Sequence, residues 1–189
     1  AKMGFNEQYP FLYNLTARKN LDQALITPND SLIKFNQKIA NKYKAGLGLA
    51  YLADYIGKEK VDESIKTFFK YYQLNKVKIL DFESILKRST EKDINWFFRE
   101  YVSTDRRIDF KIKKVDKTRD SLNVTIKNKE GTNVPISMFG LRNDTLVSKY
   151  WFKDIKTLET FSVPNNNEDK LVLNYDQKIP EFNQRDNWK

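Results

Sequence analysis

Whatever chemistry this chain performs has to be carried by carboxylates, lysines, arginines, hydroxyls and phenols, because its 189 residues include no histidine and no cysteine. Nearly all protein zinc sites use imidazole or thiolate ligands, so this sequence holds no catalytic zinc of its own and no other cofactor site that its motifs reveal. Cysteine and serine-histidine nucleophilic mechanisms are excluded on the same ground. One short stretch combines reactive side chains with a defined setting: Tyr43-Lys44-Ala45-Gly46, a phenol and an amine at the entrance to an apolar segment. On residue type alone, Tyr43 reads as an aromatic at a helix start.

The net charge of +9 and pI near 9.5 raise nucleic acid as a partner, so the distribution of charge decides. Residues 1–102 carry 17 Lys+Arg against 12 Asp+Glu, and residues 103–189 carry 17 against 13. The excess is even and the lysines are interleaved with acids, the pattern of a solvated face, which argues against nucleic acid. No apolar run is long enough for a transmembrane segment, and no signal peptide opens the chain. Asn-x-Ser/Thr matches begin at Asn14, Asn29, Asn123 and Asn143, as chance provides in so asparagine-rich a sequence.

The elements that must position these residues fall into two halves, and length and composition fit two small domains. A helix is expected after Pro10. The turn Thr27-Pro28-Asn29-Asp30-Ser31 predicts another, capped by Asp30, with Leu32, Phe35 and Ile39 inward and running toward Tyr43. Residues 45–57 are apolar on nearly every side and predict a buried helix closed by Gly57, with Ala45, Gly46, Gly48 and Ala50 allowing close approach of another backbone. An amphipathic helix follows, with Val61, Ile65, Phe68, Phe69 and Tyr72 on one face. Asp81 and Asp93 cap two further helices. Phe82, Ile85 and Leu86 form the stripe of the first; Ile94, Phe97, Phe98 and Tyr101, with Trp96 beside them, form that of the second.

After Thr104-Asp105-Arg106-Arg107 the period becomes two. Ile108, Phe110 and Ile112 alternate with Asp109, Lys111 and Lys113, and Leu122, Val124 and Ile126 with polar neighbours. Strands are expected around Val134–Met138, Leu146–Phe152, Leu158–Val163 and Leu171–Tyr175, with turns at 129–132, 143–144 and 165–167 and an aromatic tail packed back on the body. The fold class is therefore α+β: an all-α helical domain over 1–102, then an immunoglobulin-like β-sandwich over 103–189.

The order Asp81-Phe82, Leu86, Ser89-Thr90, Asp93-Ile94-Asn95-Trp96-Phe97-Phe98 resembles the end of the helical domain of gluzincin zinc aminopeptidases, the aminopeptidase N-like metallopeptidases, in a divergent bacterial version. A second marker is Tyr43-Lys44-Ala45-Gly46 followed by Leu49, Leu52 and Ile56-Gly57. In that family a Tyr-x-Lys-Gly motif opens the corresponding helix, and its tyrosine stabilises the oxyanion of the tetrahedral intermediate. Two registers stay open. Matching Lys44 to the motif lysine puts Gly57 at the helix-ending glycine but Lys42 at the tyrosine position; matching Tyr43 makes Gly46 fit and moves the helix end off by one.

The resemblance implies the C-terminal, non-zinc-binding part of a metallopeptidase that removes N-terminal residues from peptides. The His-Glu-x-x-His helix and zinc would belong to the full-length protein, upstream of Ala1, together with the peptide substrates. Tyr43 is the candidate oxyanion-stabilising residue of that enzyme. The partner implied is the N-terminal remainder of its own chain, the compartment extracytoplasmic, and the chain alone inactive. The alternative from the residues themselves is a non-catalytic interaction module, favoured by the lack of any catalytic constellation.

Overall fold

The computed structural model describes residues 5–19, 21–39 and 43–189, with the side chains of 5–10, 14, 38 and 39 left aside. Its helices all lie in the first half: α1 (Phe5–Arg18), α2 (Lys34–Ile39), α3 (Ala45–Ile56), α4 (Lys58–Tyr72), α5 (Ile79–Ser89) and a π-helical segment, Phe97–Val102. Six strands follow: β1 (Phe110–Lys117), β2 (Ser121–Asn128), β3 (Ile136–Arg142), β4 (Thr145–Phe152), β5 (Leu158–Pro164) and β6 (Lys170–Leu173). They form two antiparallel three-stranded sheets, ordered β1-β2-β5 and β4-β3-β6. The architecture is α+β, with no strand of either sheet drawn from the helical half.

Apolar spacing explains most of these elements. In α3, Tyr51, Leu52, Tyr55 and Ile56 are buried, and Gly57 ends the helix at φ 109°, a region only glycine enters freely, while its N–H bonds to the Ala53 carbonyl. Gly48 is needed for packing of a different kind, since a Cβ there would lie 2.3 Å from Cε1 of Tyr101. A ring, not a backbone, fills that approach, and Gly46 and Ala50 are exposed. The β3-β4 hairpin turns on Asn143 and Asp144, both left-handed (φ 49° and 59°), as a two-residue turn matched to strand twist requires.

Both sheets, α3, Leu86 and the π-helical segment contribute to one core cluster. Its centre is aromatic. Tyr51 lies 4.6 Å from Trp96 and 5.9 Å from Trp151 of β4, centroid to centroid, and its hydroxyl donates to the Pro135 carbonyl. Burying side chains of this size contributes about 1.5–3 kcal/mol each, so this seam is a main source of stability.

Several expectations need correction. α1 starts ahead of Pro10, at Phe5. Asp30 caps no helix: a 3-10 turn spans Asn29–Ser31, α2 begins at Lys34, Leu32 is buried ahead of it, Phe35 is exposed, and the side chain of Ile39 lies outside the described residues. The inward residue of α2 is polar Asn36, whose amide donates to the Leu21 carbonyl at 2.7 Å and to Gln23 Oε1 at 2.8 Å. The inner face of α4 is Val61, Ser64, Phe68 and Tyr72; Ile65 and Phe69 face solvent because Phe68, stacked on Tyr72 and edge-on to Phe82, sets the contact with α5. Helix α5 starts two residues before Asp81, which sits one turn in and accepts the Lys78 N–H at 2.8 Å. Asp93 does accept the Asn95 N–H, at 2.9 Å. In the tail, Ile179, Glu181 and Asn187 are buried while Trp188 is exposed. Phe182 does pack back, partly buried with the Arg107 guanidinium 4.6 Å from its ring centre, and backbone bonds add to the hold, among them Leu173 N–H to the Asn187 carbonyl and a reciprocal pair between Leu171 and Lys189.

Candidate functional site

Tyr43 and Lys44 form a π-type turn directly before α3. Lys44 is 2% exposed, and a buried ammonium is tolerated only with acceptors around it. Two segments supply three of them: Asp22 Oδ2 at 2.8 Å and the Gln23 carbonyl at 2.9 Å from one, and the Thr104 carbonyl at 3.4 Å from the other. Asp22 Oδ2 also accepts the Tyr13 hydroxyl at 2.9 Å, and Tyr101 donates its hydroxyl to the Lys44 carbonyl at 2.9 Å. Burial first, then Tyr101 and Asp22, pushes the Tyr13 phenol well above its usual value; burial and then Asp22 do the same to Tyr101. Both therefore stay protonated and serve as fixed donors. The space enclosed here is about 20 Å³, room for one water molecule and not for a peptide. This knot ties α1, residues 22–23, α3 and the π-helical segment together, and it holds the turn that carries Tyr43.

Tyr43 itself is half-buried. Lys42, the residue competing with it in the other register, lies outside the described residues. Among the described residues, no cluster of three or more carboxylates could hold a metal ion.

A second polar cluster sits in the β half, announced at the level of sequence only by Glu181 lying between apolar neighbours. Glu181 is fully buried; Oε1 accepts the Phe110 N–H at 3.1 Å, and Oε2 accepts from Asn174 Nδ2 at 3.0 Å and Asn187 Nδ2 at 2.6 Å. Burial pushes its pKa up to about 8 in spite of these donors. A carboxyl poised there is what a general base needs, but with no exposure it meets no substrate and serves to hold the tail against β1 and β6. Nearby Asp109, which the alternation placed outward, is buried and paired to Lys129 at 2.8 Å. At the surface, Asp54 of α3 meets Lys149 of β4 at 2.5 Å and Lys178 at 2.8 Å. Burial alone would raise the Asp54 pKa, but the two lysines hold it below the ordinary value.

Three further open clefts are lined by described residues. One of about 210 Å³ lies beside Trp96, bordered by Arg99, Lys153, Asp93 and Asp154. Another, about 760 Å³, is the groove between α4 and α5, bordered by Glu63, Thr67, Tyr71, Ile85 and Arg88. The third, about 550 Å³, lies between Arg18, Lys129 and the tail residues Phe182 and Arg185. None of them brings an acid, a base and a nucleophile together.

No protein-family model matches the chain, and no curated protein matches it in sequence. Among solved structures, it is similar to aminopeptidase A of Legionella pneumophila, crystallised in complex with aspartic acid, with a TM-score of 0.67 at 19% sequence identity. The likeness covers 92% of this chain and 23% of that one, so the chain spans less than a quarter of that protein's length. What the 189 residues share with it is the fold of one part of an aminopeptidase chain, helices and both sheets together.

Proposed function

We propose that this chain is the C-terminal, non-zinc-binding portion of a zinc-dependent aminopeptidase of the gluzincin type. The observation that carries the reading is the fold match to part of an aminopeptidase, running through the helical half where the motif order 81–98 and the Tyr43-Lys44 turn lie. In this reading the two sheets form an immunoglobulin-like sandwich behind the helical domain, supported by their shared core. The Tyr43 turn belongs to the wall of a peptide-cleaving site whose zinc ligands come from the rest of a longer polypeptide. Tyr43 supplies a hydrogen bond to the oxyanion, and the buried Lys44-Asp22 pair keeps its backbone fixed.

The test is release of N-terminal residues from aminoacyl p-nitroanilides by the polypeptide that carries this chain together with its upstream sequence. Activity removed by a chelator and restored by zinc is expected, with the 189-residue chain alone inactive and showing no stoichiometric zinc site by calorimetry. A tight zinc site in the isolated chain, or a longer polypeptide without zinc-dependent activity, overturns the reading.

A further inference from the structure

The even charge along the sequence has a local exception where α4 turns into α5. From Ser64 to Leu80 there is no acid, and Lys66, Lys70, Lys76 and Lys78 are all exposed. Among the described residues, none of the four has a carboxylate partner; of the two acids that flank the stretch, Glu63 forms no ion pair with them and Asp81 accepts the Lys78 backbone N–H. The same stretch exposes Ile65, Phe69, Tyr71, Leu74, Val77, Ile79 and Leu80. Leu74 stands at the tip with 105% relative exposure and a left-handed backbone, φ 65°. With Gln73 at φ −56° and ψ 137° and the Asn75 N–H on the Tyr72 carbonyl at 3.1 Å, it is the second central residue of a tight turn, where glycine is ordinarily found; a leucine there is strained and gains no burial in return.

We propose that the tip of the α4-α5 hairpin is a docking surface for an anionic lipid bilayer. The two components of peripheral attachment occur together: apolar side chains that enter the acyl boundary and unpaired lysines that meet anionic headgroups. Shape favours lipid over a protein partner. Leu74, Phe69 and Leu80 border none of the open clefts described above, and a projecting tip inserts into a deformable medium, whereas a rigid partner needs a matching pocket. Among the described residues no helix is long and apolar enough to cross a membrane, and the attachment proposed is of this hairpin tip to the bilayer surface.

The experiment is co-sedimentation of the polypeptide that carries this chain together with its upstream sequence, and of its variants, with phosphatidylcholine vesicles, with and without phosphatidylglycerol, at low and high salt. Binding to the anionic vesicles that weakens with salt is expected. Leu74→Gly relieves the backbone strain, so it should fold at least as stably while its vesicle affinity falls roughly tenfold. The double change Lys76→Glu with Lys78→Glu should cost more than tenfold on anionic vesicles and little on neutral ones. Absence of binding to anionic vesicles, or binding that Leu74→Gly leaves unchanged, overturns the proposal. Capture of an acidic amphipathic helical peptide without any vesicle binding overturns it too and assigns the surface to a protein partner.

Discussion

Replacing Glu181 by glutamine should remove most of the pH dependence of stability near neutrality. The carboxyl is held at about 8 in the fold and near 4.5 when exposed, so between those values the native state binds a proton that the unfolded chain has lost. Stability therefore falls as pH rises from about 4.5 to 8, by up to ~1.4 kcal/mol per pH unit and on the order of 5 kcal/mol in total. No histidine titrates in that window to obscure the effect. Glutamine cannot ionise, but it is no perfect mimic of the neutral acid. A carboxyl O–H donates while its oxygen still accepts from Asn174, and Asn187 Oδ1, buried without a partner, can receive that proton once the amide flips. The glutamine NH2 can donate to Asn187 but leaves one neighbouring donor unmatched, at about 1–3 kcal/mol. Urea denaturation followed by circular dichroism should thus find Glu181→Gln less stable than the parent at pH 5 and as stable or more so at pH 8.5. Parallel loss of stability in the two proteins across this range would refute the assignment.

Asp22→Ala leaves the Lys44 ammonium buried without a counter-charge, and about 3–5 kcal/mol of stability should be lost in the same assay; a loss under 1 kcal/mol would show that the two carbonyls suffice. Gly48→Ala places a Cβ 2.3 Å from a Tyr101 ring anchored through its hydroxyl, and overpacking of about 1–3 kcal/mol should outweigh the better helix propensity. Gly46→Ala, with nothing within 4 Å of its Cβ, should instead leave stability equal or raise it by up to ~1 kcal/mol, so equal effects at both positions would contradict the packing described.

Periodicity made the helices over 45–101 and the alternating strands legible, because burial of one face is a local demand written at fixed spacing: Leu86, Ile94, Phe110 and Val124 all lie inside as expected. Helix faces were less legible where the neighbour decides. Phe68 and Phe69 read alike in sequence, and only the position of Phe82 on α5 selects Phe68. The polar knots were hidden for a stronger reason. Lys44 and Asp22 are 22 residues apart, and Glu181 meets a backbone amide 71 residues away, so no spacing announces either pairing. The Tyr43 turn was visible only through its resemblance to a motif. Its surroundings, Tyr13, Asp22 and Tyr101, come together through the fold.

The most direct measurement for the claim that this chain forms part of a peptidase site is the turnover of Tyr43→Phe in the longer, zinc-loaded polypeptide. The substitution deletes one hydroxyl from a half-buried ring and leaves the Lys44 clamp in place. If the phenol donates to the oxyanion, kcat should fall by about a hundred- to a thousandfold with KM and thermal stability little changed. A variant whose kcat matches the parent would contradict the account, leaving Tyr43 a packing residue and the turn outside the catalytic machinery.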